Sequence, residues 1–314
     1  MSRHSDSQPD LSVKLKGFEL ENPVLAASGT FGYGVEFAPF LDLDRLGGFA
    51  TKGLSLKPRL GNPVPRVVEG EGVMLNAIGL ENIGLKRFVE EKLPLIQPCR
   101  CRLICNFFGD TVEEYTEMAR GLSELDRVDA LEMNISCPNV KEGGLQFSSH
   151  PRMVEEVVGA VRRVTDKFLI VKLSPNVTDI TEIARAAEGA GADSVSLINT
   201  LLGMVIDVET RKPYLANGTG GVSGPGIKPI ALQMVYRTAR AVSIPVIGMG
   251  GIRTHLDALE FLMAGARAIQ VGTANFFDPC ATIRIIDGLR KWLRDRGIGR
   301  LGDLSMGEGP AQDL

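Results

Sequence analysis

Eight short apolar runs, spread along the 314 residues and alternating with longer amphipathic stretches, constrain this chain more than any other feature. They are VLAA (24–27), GFAT (48–51), RLICN (102–106), ALEMN (130–134), LIVKL (169–173), SVSLI (194–198), PVIGM (245–249) and AIQVG (268–272). Most are followed by helical periodicity, which argues for parallel strands joined by crossover helices. DTVEEYTEMARGL (110–122) opens on Asp110, expected as the N-cap, with glutamates early in the first turn. SPNVTDITEIARAAEGAGA (174–192) repeats the pattern and ends in glycine, and THLDALEFLMAGA (254–266) does so again. Eight such units at this length favour an α/β fold of the (β/α)8 TIM-barrel type, which takes about 250 residues before insertions. No G-x-G-x-x-G follows an early strand, which counts against an open dinucleotide-binding sheet. Ahead of the first run, LSVKLKGFELENP (11–23) alternates like a small N-terminal β-hairpin that would cap the bottom of the barrel. No low-complexity linker interrupts the chain, so residues 1–314 read as one domain with inserted loops over the active site.

Composition narrows the function classes. With 44% hydrophobic and 23% charged residues the chain is an ordinary globular one, and a net charge of −3 leaves no nucleic-acid footprint. MSRHSDSQPD lacks the apolar stretch of a signal peptide, and no run reaches the roughly 20 apolar residues of a membrane span, so the cytoplasm is the expected address. The five cysteines (99, 101, 105, 137 and 280) are too sparse for a disulfide framework. CRCRLIC suggests a metal at first sight, but Cys105 falls inside an apolar run, no second cluster supplies ligands, and the three histidines are scattered. No metal is expected.

In a barrel of this kind the reactive groups sit at the C-terminal ends of the strands. Those ends carry Ser28-Gly29, Lys52, Asn106, Asn134, Lys172, Asn199-Thr200, Gly250-Gly251 and Gly272-Thr273. Glycines after strands seven and eight let backbone N–H groups approach a phosphate, although tight βα turns also call for glycine. A lysine ending an apolar run needs an anion or a hydrogen-bonding ligand, or else a structural ion pair. A positive group at the N1 and C2-carbonyl edge of a flavin would stabilise the reduced ring. Asn76, Asn199 and Thr200 add amides and a hydroxyl suited to a flat, imide-like ligand, the alternative being ordinary turn asparagines. Cys137, in the polar loop NISCPN before KEGG (141–144), is either a small buried residue or a reactive thiol under a lid. A thiol can act as nucleophile or base; no histidine lies near it in sequence to activate it as a nucleophile, which favours the base.

NISCPNVKEGG, NAIGLEN (76–82), TRKPYLANGTGGVSGPGIKPIAL (210–232) and GMGGI (248–252) resemble the dihydroorotate dehydrogenase family, and the likeness runs from NPVLAASGTFG (22–32) to VGTANF (271–276). The resemblance implies an FMN-bearing barrel that oxidises dihydroorotate to orotate for pyrimidine biosynthesis. It makes Cys137 the base for the C5 proton while the C6 hydride goes to flavin N5. It assigns FMN contacts to Ser28, Lys52, Gly53, Asn106, Asn134, Lys172, Ile198, Gly224, Gly250, Gly251, Gly272 and Thr273. It assigns orotate contacts to Lys52, Asn76, Ala77, Ile78, Gly79, Leu80, Asn134, Asn199 and Thr200. The membrane-associated class carries serine as base and an N-terminal extension, which Cys137 and the polar N-terminus do not match. Of the soluble classes, NAIGLEN is similar to the one that uses NAD⁺ through a partner subunit holding FAD and a [2Fe–2S] cluster, implying a homodimer core with two such partners. The chain lacks the cysteine clusters to ligate an iron–sulfur centre itself. Gly53 and Ser55, in TKGLS, depart from the bulkier or threonine residues often found there. The competing expectations are the fumarate-dependent soluble class, a dihydropyrimidine dehydrogenase catalytic subunit acting on uracil or thymine, and a non-catalytic flavin-binding barrel.

Overall fold

The structure, a computed structural model, describes residues 8–136 and 150–304. Eight parallel strands close into a barrel in chain order: Val24–Ala26, Gly48–Ala50, Arg102–Phe107, Ala130–Asn134, Phe168–Lys172, Ser194–Leu197, Val246–Met249 and Ala268–Val271. Strand eight closes on strand one through Ile269 beside Val24 and Val271 beside Ala26. Each expected run lies within one residue of the observed strand at either end, because an apolar run buried on both faces has no other stable place. Helices Val112–Ser123, Pro151–Arg162, Ile180–Gly189, Lys228–Ala241, His255–Met263 and Ala281–Asp295 follow strands three to eight. The first two units differ: strand one is followed by a 3-10 turn, Leu43–Arg45, and strand two by short helical segments from Gly84 to Ile96.

One of the three expected helix starts holds in detail: Thr254 with Asp257 forms a capping box on His255–Met263. The stretch from Ser174 begins its helix later, at Ile180, capped by Asp179 through Thr181 N–H. The stretch from Asp110 is corrected by one position: Thr111, not Asp110, caps Val112–Ser123 by accepting from Glu114 N–H. Asp110 is drawn one position outward, where its carboxylate accepts from Arg59 Nη2 at 2.6 Å.

The N-terminal hairpin, Val13–Leu15 with Phe18–Leu20, turns on Lys16 and Gly17, both with positive φ as a two-residue hairpin turn requires. Its Leu15, Phe18 and Leu20 form one apolar cluster with Leu25, Ala50, Ile104, Ala130, Ile170, Ile247 and Ala268, one residue from each of seven barrel strands. The hairpin therefore closes the end of the barrel opposite the polar strand ends.

Over those strand ends stands something the sequence did not suggest. The insertions after strands two and six meet in a four-stranded antiparallel sheet, ordered Leu201–Gly203, Gly220–Ser223, Val73–Asn76 and Val67–Gly70. Gly221 lies opposite Asn76 and Val222 opposite Leu75, so NAIGLEN and the GTGGVSG stretch are physically joined. Leu75, Ala77 and Leu215 form the small core beneath. Among the described residues no helix is long and apolar enough to cross a membrane, and no group of His, Cys, Asp or Glu is arranged to hold a metal.

Candidate active site

A cleft of about 1800 Å³ opens between the C-terminal strand ends and the inserted sheet. Ordinary ligand pockets span about 300–1,000 Å³, so this one has space for a nucleotide-sized cofactor beside a second small ring. Every expected cofactor and substrate residue other than Cys137 lines it. Cys137, with Pro138 and the KEGG stretch, lies outside the described residues.

Strands two and five deliver the two lysines. Lys172 is 6% exposed, with its Nζ 3.9 Å from Glu132 Oε2. Lys52 follows strand two and is fixed by its own N–H, which donates to Gly32 O at 2.7 Å. Burial pushes the Lys52 amine below its ordinary range; Glu81 opposes that shift, while Arg66 and Lys172 add to it. Arg66 is itself ion-paired with Glu81, so that carboxylate serves two cations. The site thus carries a surplus of positive charge suited to an anionic ligand.

The asparagines are oriented by what surrounds them. Asn106 Nδ2 donates to Glu132 at 2.7 Å. A carboxylate only accepts, so the amide nitrogen must face it and the Asn106 carbonyl oxygen must turn away. That oxygen abuts Gly53, where an added Cβ would lie only 2.8 Å from it. This close approach explains why glycine stands there rather than a bulkier residue. Asn134 Oδ1 accepts from Asn199 Nδ2 at 3.3 Å and from Ser136 N–H at 3.2 Å, while Asn199 Oδ1 accepts from Thr200 N–H at 2.8 Å. With its acceptor so engaged, Asn134 presents its amide N–H pair as the donor.

The NAIGL segment is shaped by its carbonyls. Asn62 Nδ2 donates to Ala77 O at 2.9 Å and Asn62 N–H to Ile78 O at 2.9 Å. Asn82 Nδ2 takes Leu80 O at 2.9 Å. Gly79 and Leu80 both have positive φ, 75° and 58°. The N–H groups of Ile78, Gly79 and Leu80 donate to no other described residue, and successive N–H groups in such a turn form a concavity for an anionic oxygen.

At the far end, Gly224, Gly250 and Gly251 all have positive φ. A Cβ on Gly251 would fall 3.0 Å from Gly224 O, so the two loops meet there. Thr273 Oγ1 donates to Ser223 Oγ at 2.8 Å beside them. This is a cradle of backbone and hydroxyl donors, the arrangement that suits a phosphate.

Sequence reasoning missed Glu132, Ser196 and Gln270, a buried polar set in the barrel interior, and also Arg66, Glu81 and Ser223. The signal for Glu132 was present, since a lone charged residue within ALEMN must be exposed, paired or functional. For Arg66 and Glu81 there was none, because their pairing depends on the inserted sheet.

Comparison with known proteins adds the family. The dihydroorotate dehydrogenase family model matches residues 10–293. The dihydroorotate dehydrogenase B (NAD⁺) catalytic subunit of Pelobacter propionicus is 57% identical over 297 residues, covering 95% of this chain and 98% of that protein. The protein of the same description from Geobacter sulfurreducens is also 57% identical, covering 95% and 97%. Among solved structures, ligand-free dihydroorotate dehydrogenase from Eimeria tenella superposes with a TM-score of 0.77 at 25% identity, over 96% of this chain and 92% of that one.

Proposed function

The chain belongs to the dihydroorotate dehydrogenase family and is an oxidoreductase, and from that premise we propose that it oxidises (S)-dihydroorotate to orotate on FMN and passes the electrons to NAD⁺ through a partner subunit. One observation carries this: the two lysines, the oriented asparagines, the NAIGL turn and the glycine cradle, drawn from separate parts of the chain, face one cleft. Bound FMN supplies the chemistry of accepting two electrons and the C6 hydrogen of the substrate.

The residues fit that cofactor. Lys172 offers a cation, and Asn106 beside it an acceptor oxygen, the pattern that an N1/C2-carbonyl edge and its neighbouring N3–H require. Gly250, Gly251, Gly272 and Thr273, with Ser223 and Gly224, would hold the phosphate. Lys52 and the N–H groups of Ile78, Gly79 and Leu80 would bind the substrate carboxylate, which uracil and thymine lack. Asn76, Asn134, Asn199 and Thr200 would orient the ring by its carbonyl and N–H groups. Cys137 Sγ would remove the C5 proton, a role drawn from its motif.

The electron acceptor follows from a different line. The relatives named above are catalytic subunits of an NAD⁺-dependent enzyme, a description that implies a second subunit. We place FAD and a [2Fe–2S] cluster on that partner, two of which would flank a homodimer of this chain, because the five cysteines here form no cluster-binding set. The test is anaerobic addition of dihydroorotate to the purified chain. The expected outcome is a yellow protein whose flavin band bleaches. A yellow protein that dihydrouracil bleaches and dihydroorotate does not would overturn the substrate assignment in favour of pyrimidine degradation.

A further inference from the structure

The barrel interior holds a carboxylate that does not itself line the cleft. Glu132, on strand four, is wholly buried. Its Oε1 accepts from Ser196 Oγ at 2.9 Å and Gln270 Nε2 at 2.7 Å, and its Oε2 from Asn106 Nδ2 at 2.7 Å. Those donors stand on strands six, eight and three, and all are neutral. An ionised carboxylate at this depth requires a cation as well as hydrogen bonds. Among the described residues the cation paired with it is Lys172, at 3.9 Å. That separation is too long for a hydrogen bond, so the ammonium is attracted to Glu132 without spending any of its three donors on it.

We propose that Glu132 is a positioning residue for the flavin site, holding the Lys172 Nζ in place and turning the Asn106 carbonyl oxygen to the cleft, without touching the ligand itself. Substitution by glutamine keeps the shape and removes both constraints. The counter-charge disappears, and a glutamine amide accepts or donates, so the Asn106 amide is no longer forced into one orientation. Among the described residues Lys172 is ion-paired with Glu132 from strand four, and it adds to the positive charge felt by Lys52, on which Glu81 and Arg66 also act. Without Glu132, Lys172 loses the carboxylate paired with it among the described residues. Lys172 and the Asn106 amide are then no longer held for the ligand, and stabilisation of reduced flavin weakens.

This rests on the FMN assignment, and the experiment separates the two. Holoenzyme is equilibrated anaerobically against a redox indicator dye at pH 7, reading the reduced-to-oxidised ratio of bound flavin for wild type, Glu132→Gln, Lys172→Met and the double variant. The equilibrium constant for flavin reduction is expected to fall about tenfold in Glu132→Gln, the scale of one lost interaction with a charged group. In the Lys172→Met background, Glu132→Gln is expected to change that constant much less. A role confined to tying strands together would lower thermal stability in both backgrounds and leave the flavin ratio at its wild-type value, which overturns the proposal. Should Glu132→Gln not retain flavin, Glu132→Asp keeps the charge and is expected to keep the wild-type ratio; a loss of about tenfold there overturns the proposal equally. Wild-type protein without a flavin band overturns the FMN assignment and this inference together.

Discussion

Lys52 shows how a proposed binding role sets itself against stability at a single residue. Its amine is enclosed beside Lys172 and Arg66, and burial lowers its proton affinity from the ordinary value of 10.5. Below the folded value both folded and unfolded chains hold the proton, and the cost of enclosing the charge is fully present. Between the folded value and 10.5 only the unfolded chain holds it, so stability rises with pH across that window. Lys52→Met is therefore expected to raise the melting temperature of the ligand-free protein at pH 7, with the gain shrinking towards pH 10. The same change is expected to raise KM for dihydroorotate roughly 10- to 100-fold, as a lost hydrogen bond to a charged group implies. A melting temperature that falls at pH 7 would refute the enclosed-charge account. At Cys137 the expected effect is on rate. Cys137→Ser should retain FMN absorbance and lose about 10²- to 10⁴-fold in turnover at neutral pH, the usual contribution of a positioned base. Stopped-flow bleaching of the flavin band by dihydroorotate measures it, and an unchanged rate would remove the base role.

Among elements, the inserted sheet is where the architecture exceeds a plain barrel. Two insertions that are 145 residues apart at the paired Asn76 and Gly221 become neighbouring strands, and that pairing sets NAIGL over the strand ends. The contact is tight: a Cβ on Gly221 would lie 2.2 Å from Thr200 Oγ1 and 2.7 Å from Thr200 Cβ. Gly221→Ala must displace Thr200 or part the strands. Overpacking of this kind costs about 1–3 kcal/mol. The expected result is a lower melting temperature and a raised KM for dihydroorotate with FMN content unchanged, because Thr200 lines the part of the cleft proposed to take the substrate. Equal loss of FMN affinity would instead show that the sheet supports the whole cleft.

At the scale of the whole molecule, stability and chemistry occupy opposite ends of the barrel. Leu15 is completely buried in the hairpin plug, and Phe18 stacks on Phe168 with ring centroids 4.8 Å apart. Leu15→Ala opens a cavity and is expected to cost about 2–5 kcal/mol. Since the strand ends that line the cleft are not part of this cluster, kcat and KM at moderate temperature should stay near wild type while the melting temperature falls. A coupled loss of FMN would show that the barrel transmits strain along its axis.

The eight strands, the hairpin and the capped start of His255–Met263 were readable because each is encoded locally: apolar runs fit only a strand buried on both faces, and caps act within four residues. The polar strand ends were readable for the same reason, since a strand's last residue follows from its run. The sequence alone therefore determined the barrel class and the residues that would ring its mouth. It did not show that GTGGVSG and VMLN pair as strands. Glycine carries no apolar alternation, and the pairing is won by contacts between distant insertions. Nor could it turn the amides. Only the tertiary structure placed Glu132 behind Asn106 and Lys172, and a carboxylate that can accept but never donate is what fixes which end of Asn106 faces the cleft.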